Sequence, residues 1–170
     1  MRRMLVLMGG RFAKHYGARL LYAPGEKRTV ELAGAPLALS LLSCDADGAT
    51  FAVSYATLAD PARVGVALEH WRAATLARIG VAVPAASAPA SGAAAPAQMQ
   101  PFVPAGAMAL PQAVRTTVQG QRPDGTPVTA HAAWFARALG SEVRVYHAVV
   151  FADKARPAVA DTFFAGLELR

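Results

Sequence analysis

The chain has 170 residues and a formal net charge of +6, with 17 basic against 11 acidic side chains. Hydrophobic residues make up 54% of it, and Cys44 is its one cysteine. A chain of this length buries about 70% of its unfolded surface, so we expect one domain with a proper core. This composition excludes a disordered chain, a coiled coil and a miniprotein held together by disulfide bonds.

The first 28 residues carry the whole net charge. They hold seven basic residues and one acid, whereas residues 29–170 hold ten of each. A neutral body argues against nucleic-acid binding and makes the basic segment, residues 1–22, a candidate for docking to a protein or a membrane surface. The candidate interaction residues of this segment are Arg2, Arg3, Arg11 and Lys14.

The apolar run at residues 4–8 is shorter than the roughly 7 to 15 residues that a signal peptide needs. It is also far shorter than the roughly 20 residues of a membrane-spanning helix. We therefore expect a chain that is soluble as written and cytoplasmic by default. An upstream start site would instead allow a periplasmic or envelope protein.

The first half of the chain predicts three strands followed by a helix. Residues 27–32, 37–44 and 50–57 are rich in strand-forming residues, and the Asp and Gly residues after Cys44 favour a tight turn that pairs Cys44 with Thr50. Apolar residues then recur at helical spacing over residues 61–79, after Asp60 as a capping residue.

Residues 84–111 differ from the rest of the chain. They hold 6 of the 12 prolines and 11 alanines and no charged residue, which predicts a flexible Pro/Ala-rich loop within a single domain at residues 23–170. The alternative is that apolar side chains in this segment pin part of it to the surface. Phe102 and Val103 are therefore candidate interaction residues.

The second half predicts three strands, at residues 113–119, 126–137 and 143–151, and a short helix from Pro157. A loop centred on Gly140 pairs Trp134 with Tyr146. The predicted fold class is α+β, an antiparallel β-sheet flanked by helices on both faces (an α/β/α sandwich) in one domain.

Two stretches of the sequence resemble the PsbP-like superfamily. They are residues 50–80, with Ser54-Tyr55 and a helix that contains Trp71, and residues 126–169, with Arg144-Val145-Tyr146 and a Phe-Phe helix. Members include an extrinsic subunit of photosystem II and a Ran-binding import factor, and the closer likeness is to bacterial members of unknown activity. The resemblance implies an α/β/α sandwich and the role of an adaptor or accessory subunit, without shared catalytic residues.

The residues that carry chemistry form no recognisable catalytic motif. We expect no cofactor and no metal, and a non-enzymatic binding or accessory module with a protein partner. One alternative is a small enzyme or metal-binding protein that uses His131 and His147, which the predicted pairing puts on one face of the sheet. Another is a peripheral envelope or membrane-surface protein held by its basic N-terminus. Four arginines of the second half, which are Arg115, Arg122, Arg137 and Arg144, form either a basic edge for an acidic partner or scattered surface charge.

Overall fold

The computed structural model describes residues 26–81 and 98–169 of the chain. The basic segment at residues 1–22, with its four candidate interaction residues, lies outside these ranges. Seven strands are present in the described ranges: β1 (Glu26–Leu32), β2 (Ala35–Ala46), β3 (Ala49–Leu58), β4 (Gln100–Pro101), β5 (Val114–Gln121), β6 (Pro127–Leu139) and β7 (Glu142–Ala152). The two α-helices are α1 (Val64–Arg78) and α2 (Pro157–Ala165).

All seven strands form one antiparallel sheet in the order β1-β2-β3-β7-β6-β5-β4. The hairpin β6–β7 lies inside the sheet because β3 pairs with β7 and β5 pairs with β6. This accounts for its apolar residues at both odd and even positions, since a central strand is covered on both faces. The predicted α+β class, an antiparallel sheet with helices in one domain, is confirmed at this level.

Tight two-residue turns set the register of the hairpins. Asp47 and Gly48 join β2 to β3 with φ of 50° and 71°, as a hairpin turn with two left-handed residues requires. Cys44 therefore lies opposite Phe51, and the predicted partner Thr50 is wrong by one residue. The turn at Gly140 and Ser141 shifts the register of the β6–β7 hairpin by one residue in the same way.

In the β6–β7 hairpin, Leu139 lies opposite Glu142 and Trp134 lies opposite His147 rather than Tyr146. A shift of one residue moves every side chain of the strand to the other face relative to its partner. We call the side of the sheet that carries Ala52 and Trp134 the first face, and the side that carries Phe51 and Phe135 the second face. Each face has its own buried cluster of apolar side chains.

Helix α1 contributes to the cluster on the first face. Asp60 begins the helical segment, since its Oδ1 accepts a hydrogen bond from the Ala62 amide at 3.0 Å, and residues 61–63 form one 3₁₀ turn before α1. Leu68 and Trp71 of α1 are buried in the same cluster as Ala52 and Trp134. The helix predicted over residues 61–79 is therefore confirmed.

Residues 98–113 are docked against the sheet. Gln100 pairs with Arg115, the Phe102 amide donates to the Ala113 carbonyl at 2.9 Å, and the Met108 amide donates to the Ala136 carbonyl at 2.8 Å. The predicted flexible loop at residues 84–111 is thus wrong for residues 98–111, and residues 84–97 lie outside the described ranges. The high proline and alanine content led to the wrong prediction. An extended segment is held here by backbone hydrogen bonds and a few aromatic contacts, and amino-acid composition does not show either.

The end of the chain holds this segment in place. The Leu169 amide donates to the Ala105 carbonyl at 2.9 Å, and Ala105 and Glu168 form an isolated parallel bridge. Gly106 lies so close to the Leu169 carbonyl that a Cβ there would be 2.2 Å from the oxygen. Residues 102–107, α2 and the residues after it together contribute to the buried cluster that covers part of the second face.

Candidate functional site

His131 is buried on the second face and holds the start of α2. Its Nε2 accepts a hydrogen bond from the Arg156 amide at 3.1 Å, so the neutral ring carries its proton on Nδ1, which lies 2.8 Å from Thr117 Oγ1. Burial lowers the pKa of His131, and the charge of Asp161 opposes this while that of Arg115 adds to it. Both ring nitrogens are thus used by the fold.

His147 is buried on the first face between two tryptophans. Its ring stacks on Trp134 with centroids 5.3 Å apart, and Trp71 of α1 lies 5.6 Å away at a tilt. Its Nε2 has no hydrogen-bond partner among the described residues. Burial lowers the pKa of His147 from 6.5 to about 3, which keeps the ring neutral at ordinary pH.

The two histidines therefore cannot share a site. His131 lies opposite Val150 and His147 lies opposite Trp134, which places the rings on different faces of the sheet. The prediction that they share one face is wrong, and its cause is the one-residue error in the β6–β7 register. Among residues 26–81 and 98–169, no three His, Cys, Asp or Glu side chains are grouped to hold a metal ion.

Cys44 is buried under the second face. Burial, and to a smaller extent the charge of Asp45, raises the pKa of its thiol. A raised pKa disfavours the thiolate, which is the nucleophilic form. The environment of Cys44 is therefore that of a core residue.

The four arginines considered for a basic edge divide into two pairs. Arg115 forms an ion pair with Asp161 and Arg122 forms one with Asp153, each at 3.0 Å. Arg137 and Arg144 lie directly opposite each other on β6 and β7, and in the described part of the chain neither forms an ion pair with a carboxylate. Of the two alternatives for these arginines, a basic edge and scattered surface charge, the structure shows neither in full: Arg115 and Arg122 are paired with carboxylates, and Arg137 and Arg144 are adjacent at the turn end of β6 and β7.

Two tyrosines complete this group. The Arg144 guanidinium carbon lies 4.9 Å from the centre of the Tyr55 ring, and Tyr55 lies 6.0 Å from Tyr146, its partner across β3 and β7. Tyr146 is buried and stacks on Phe135 with centroids 5.3 Å apart. We call Tyr55, Arg137, Arg144 and Tyr146 the arginine–tyrosine cluster.

Burial raises the pKa of Tyr146, so its hydroxyl stays protonated. The neighbouring guanidinium of Arg144 and, after it, the charge of Arg137 oppose this shift of the pKa. Arg144 Nε is itself buried and has no hydrogen-bond partner among the described residues. The cluster thus holds two positive charges at the border of an apolar layer, with part of their hydration removed.

The second face is covered unequally. Phe51 and Phe135 are buried beneath Phe163 of α2 and Phe102, respectively. Beyond them lies a region of half-buried side chains that belong to β2, β3, β6 and β7. We call this region the open patch, and it consists of Ser40, Leu42, Tyr55, Thr57, Arg137 and Arg144.

The buried cluster of the second face reaches Tyr55 but not Leu42, which belongs to neither cluster although it lies mid-strand. Thr57 pairs directly with Arg144, which continues the patch from β3 to β7. The patch therefore combines an apolar side chain, two hydroxyls, an aromatic ring and two guanidiniums on one rigid sheet.

The two apolar candidates of the docked segment have different roles. Phe102 packs on Phe135 and Phe164, with ring centroids 5.8 and 5.5 Å apart, and is part of the fold. Val103 is 47% exposed and Met99 is 39% exposed, so these two residues remain at the surface.

A depression of about 470 Å³ lies at the opposite end of the sheet, lined by residues that include Gln119, Thr129 and Asp153. Asp153 is already engaged by Arg122. This depression brings together no set of groups that would suggest a reaction.

The sequence held a signal for the arginine–tyrosine cluster. A two-residue loop at Gly140 and Ser141 pairs Arg137 with Arg144, and glycine at the first position is typical of such turns. The contact with Tyr55 depends on β3 pairing with β7, which are far apart in the chain. No local pattern predicts that pairing.

No helix within residues 26–81 or 98–169 is both long enough and apolar enough to cross a bilayer. The chain matches no protein family, no curated protein and no solved structure.

Proposed function

We propose that the chain is a non-enzymatic binding or accessory module that docks a partner protein on the open patch. The observation that carries the proposal is the unequal covering of the second face. Part of it is covered by α2, the docked segment and Leu167 and Leu169, whereas Leu42, Tyr55 and Arg144 are only half-buried on the same sheet. A rigid surface that mixes apolar, aromatic and arginine side chains has the composition of protein interfaces.

We also infer that the domain is an α/β/α sandwich of the PsbP-like type, with one helix layer on each face. Support comes from the two buried clusters, since α1 contributes Leu68 and Trp71 to one and α2 contributes Phe163 and Phe164 to the other. In that resemblance the fold serves adaptors and accessory subunits, which agrees with a docking role.

Two variants of the full chain test the proposal. Leu42→Glu places a charge in the open patch, and the matched control Val66→Glu places one on α1, where Val66 is 58% exposed over the other face. We select the proteins of the source cell that bind wild type and Val66→Glu but do not bind Leu42→Glu. Each is identified and purified, and its direct binding to all three forms is measured.

The expected result is one purified protein whose affinity falls only with Leu42→Glu. A purified protein that binds all three forms equally would overturn the assignment of the open patch. Turnover of an ester, phosphate or nucleotide substrate that is lost on substitution of His131, His147 or Cys44 would overturn the non-enzymatic function itself.

A further inference from the structure

Arg137 and Arg144 form a site that lacks its counter-charge within the described chain. They are direct cross-strand partners, an arrangement in which like charges repel. Arg156, by contrast, holds Asp47 Oδ2 at 2.8 Å, as Arg115 and Arg122 hold their own carboxylates. An anion placed between the two guanidiniums would remove their repulsion.

Arg144 is already positioned for this contact. Its guanidinium lies over the Tyr55 ring at 4.9 Å, which restricts the side chain before any ligand arrives. A guanidinium restricted in this way loses less freedom on binding and presents a planar fork that suits a carboxylate.

We propose that the open patch receives an acidic segment of the partner protein, two of whose carboxylates meet Arg137 and Arg144. This inference rests on the proposed function and adds the chemistry of the partner. The chain's own first 28 residues, with seven basic side chains and one acid, carry the wrong charge to occupy the site. Nucleic acid would require many phosphate contacts along a basic surface, whereas the body of the domain has ten basic and ten acidic residues.

A fluorescent peptide with a run of glutamates, flanked by glycine and serine, is the probe. Its binding to the full chain is followed by fluorescence anisotropy at several salt concentrations, beside a glutamine version of the peptide and a DNA oligonucleotide. The variant Arg137→Gln/Arg144→Gln removes the site. The control Arg72→Gln/Arg78→Gln removes the same charge from α1, and circular dichroism verifies that both are folded.

We expect salt-dependent binding of the glutamate peptide that falls about tenfold or more in Arg137→Gln/Arg144→Gln and stays near wild type in the α1 control. Equal loss in both variants, or stronger binding of the oligonucleotide, would overturn the inference. A natural partner that is lost by Leu42→Glu but kept by Arg137→Gln/Arg144→Gln would also overturn it, while the proposed docking function would stand.

Discussion

Arg137 and Arg144 are direct partners across β6 and β7, and the Arg144 guanidinium lies 4.9 Å from the centre of the Tyr55 ring. This places two cations at the border between the covered part of one sheet face and the open patch. The core of the domain does not require such an arrangement, since apolar side chains at these positions would extend the buried layer. The arrangement therefore predicts a conflict between stability and binding.

Removing one of the two arginines should stabilise the free protein. Arg137→Gln abolishes the cross-strand repulsion, and we expect the free energy of unfolding to rise by about 0.2–1 kcal/mol, the usual size of a cross-strand side-chain interaction. Urea denaturation at low salt measures it. The control Arg122→Gln breaks the exposed ion pair with Asp153 and should lower the free energy by no more than about 1 kcal/mol. A less stable Arg137→Gln protein would show that Arg137 is held by contacts of the fold.

Acid should destabilise the domain through His147. Its pKa is about 3 in the folded state and 6.5 in the unfolded state, so below pH 6.5 the unfolded chain binds the additional proton. The free energy of unfolding then falls as the pH falls from about 6.5 toward 3, by up to about 1.4 kcal/mol per pH unit. The lowered pKa of His131 acts in the same direction.

His147→Phe isolates this contribution, because phenylalanine keeps a ring beside Trp134 without a titrating group. Urea denaturation at pH 7 and pH 5 should show a smaller loss of stability in His147→Phe than in wild type. An unchanged pH dependence would mean that His147 is reached by solvent in the folded protein.

His131 should be needed to hold α2. His131→Leu leaves the Arg156 amide without its acceptor, and we expect the free energy of unfolding to fall by about 1–3 kcal/mol. Hydrogen exchange should be faster at the Arg156 amide and in the first turn of α2. Thr117→Ala, which removes only the partner of Nδ1, is the control and should leave the exchange at Arg156 unchanged. Slow exchange at Arg156 in His131→Leu would contradict the anchoring role.

Phe102 should hold residues 98–113 on the sheet. Truncation of a fully buried phenylalanine to alanine lowers the free energy of unfolding by about 3–5 kcal/mol. Because Phe102 is half-buried, Phe102→Ala should lower it by less. In Phe102→Ala, the amides of Met108 and Leu169 should exchange faster with solvent. The Met108 amide belongs to the docked segment and donates to Ala136, and the Leu169 amide donates to Ala105 of that segment. Val103→Ala changes an exposed neighbour and should have no such effect. Fast exchange at both amides in the wild type would contradict the docking of the segment.

The sequence predicts the positions of the helices and strands better than it predicts how the strands pair. Period and capping locate α1, and strand propensity locates the hairpins, because both signals are local. The register is harder, since hairpin loops of two and of three residues both contain a left-handed residue, as Gly48 and Gly140 are here, so a glycine does not by itself fix the loop length. The difference of one residue in the β6–β7 loop decides whether His131 and His147 lie on the same face of the sheet.

The candidate site depends on contacts that no local pattern specifies. Arg137 and Arg144 become neighbours through a short turn, but Tyr55 contacts Arg144 only because β3 pairs with β7. The docking of residues 98–113 on the sheet could not be predicted for a related reason, because Phe102 packs on Phe135 and Phe164, which lie far along the chain. Contacts between residues far apart in the chain thus form both the arginine–tyrosine cluster and the docked segment that covers part of the same face.

The most direct test of the central claim follows the arginine side chains themselves. In ¹⁵N-labelled protein, the Nε–Hε signals of the arginines are recorded by NMR during titration with the glutamate peptide. The account predicts saturable shifts for Arg137 and Arg144, with Arg115 and Arg122 unmoved because their carboxylates already engage them. Small shifts of similar size at all exposed arginines would show screening without a site, and would contradict the account.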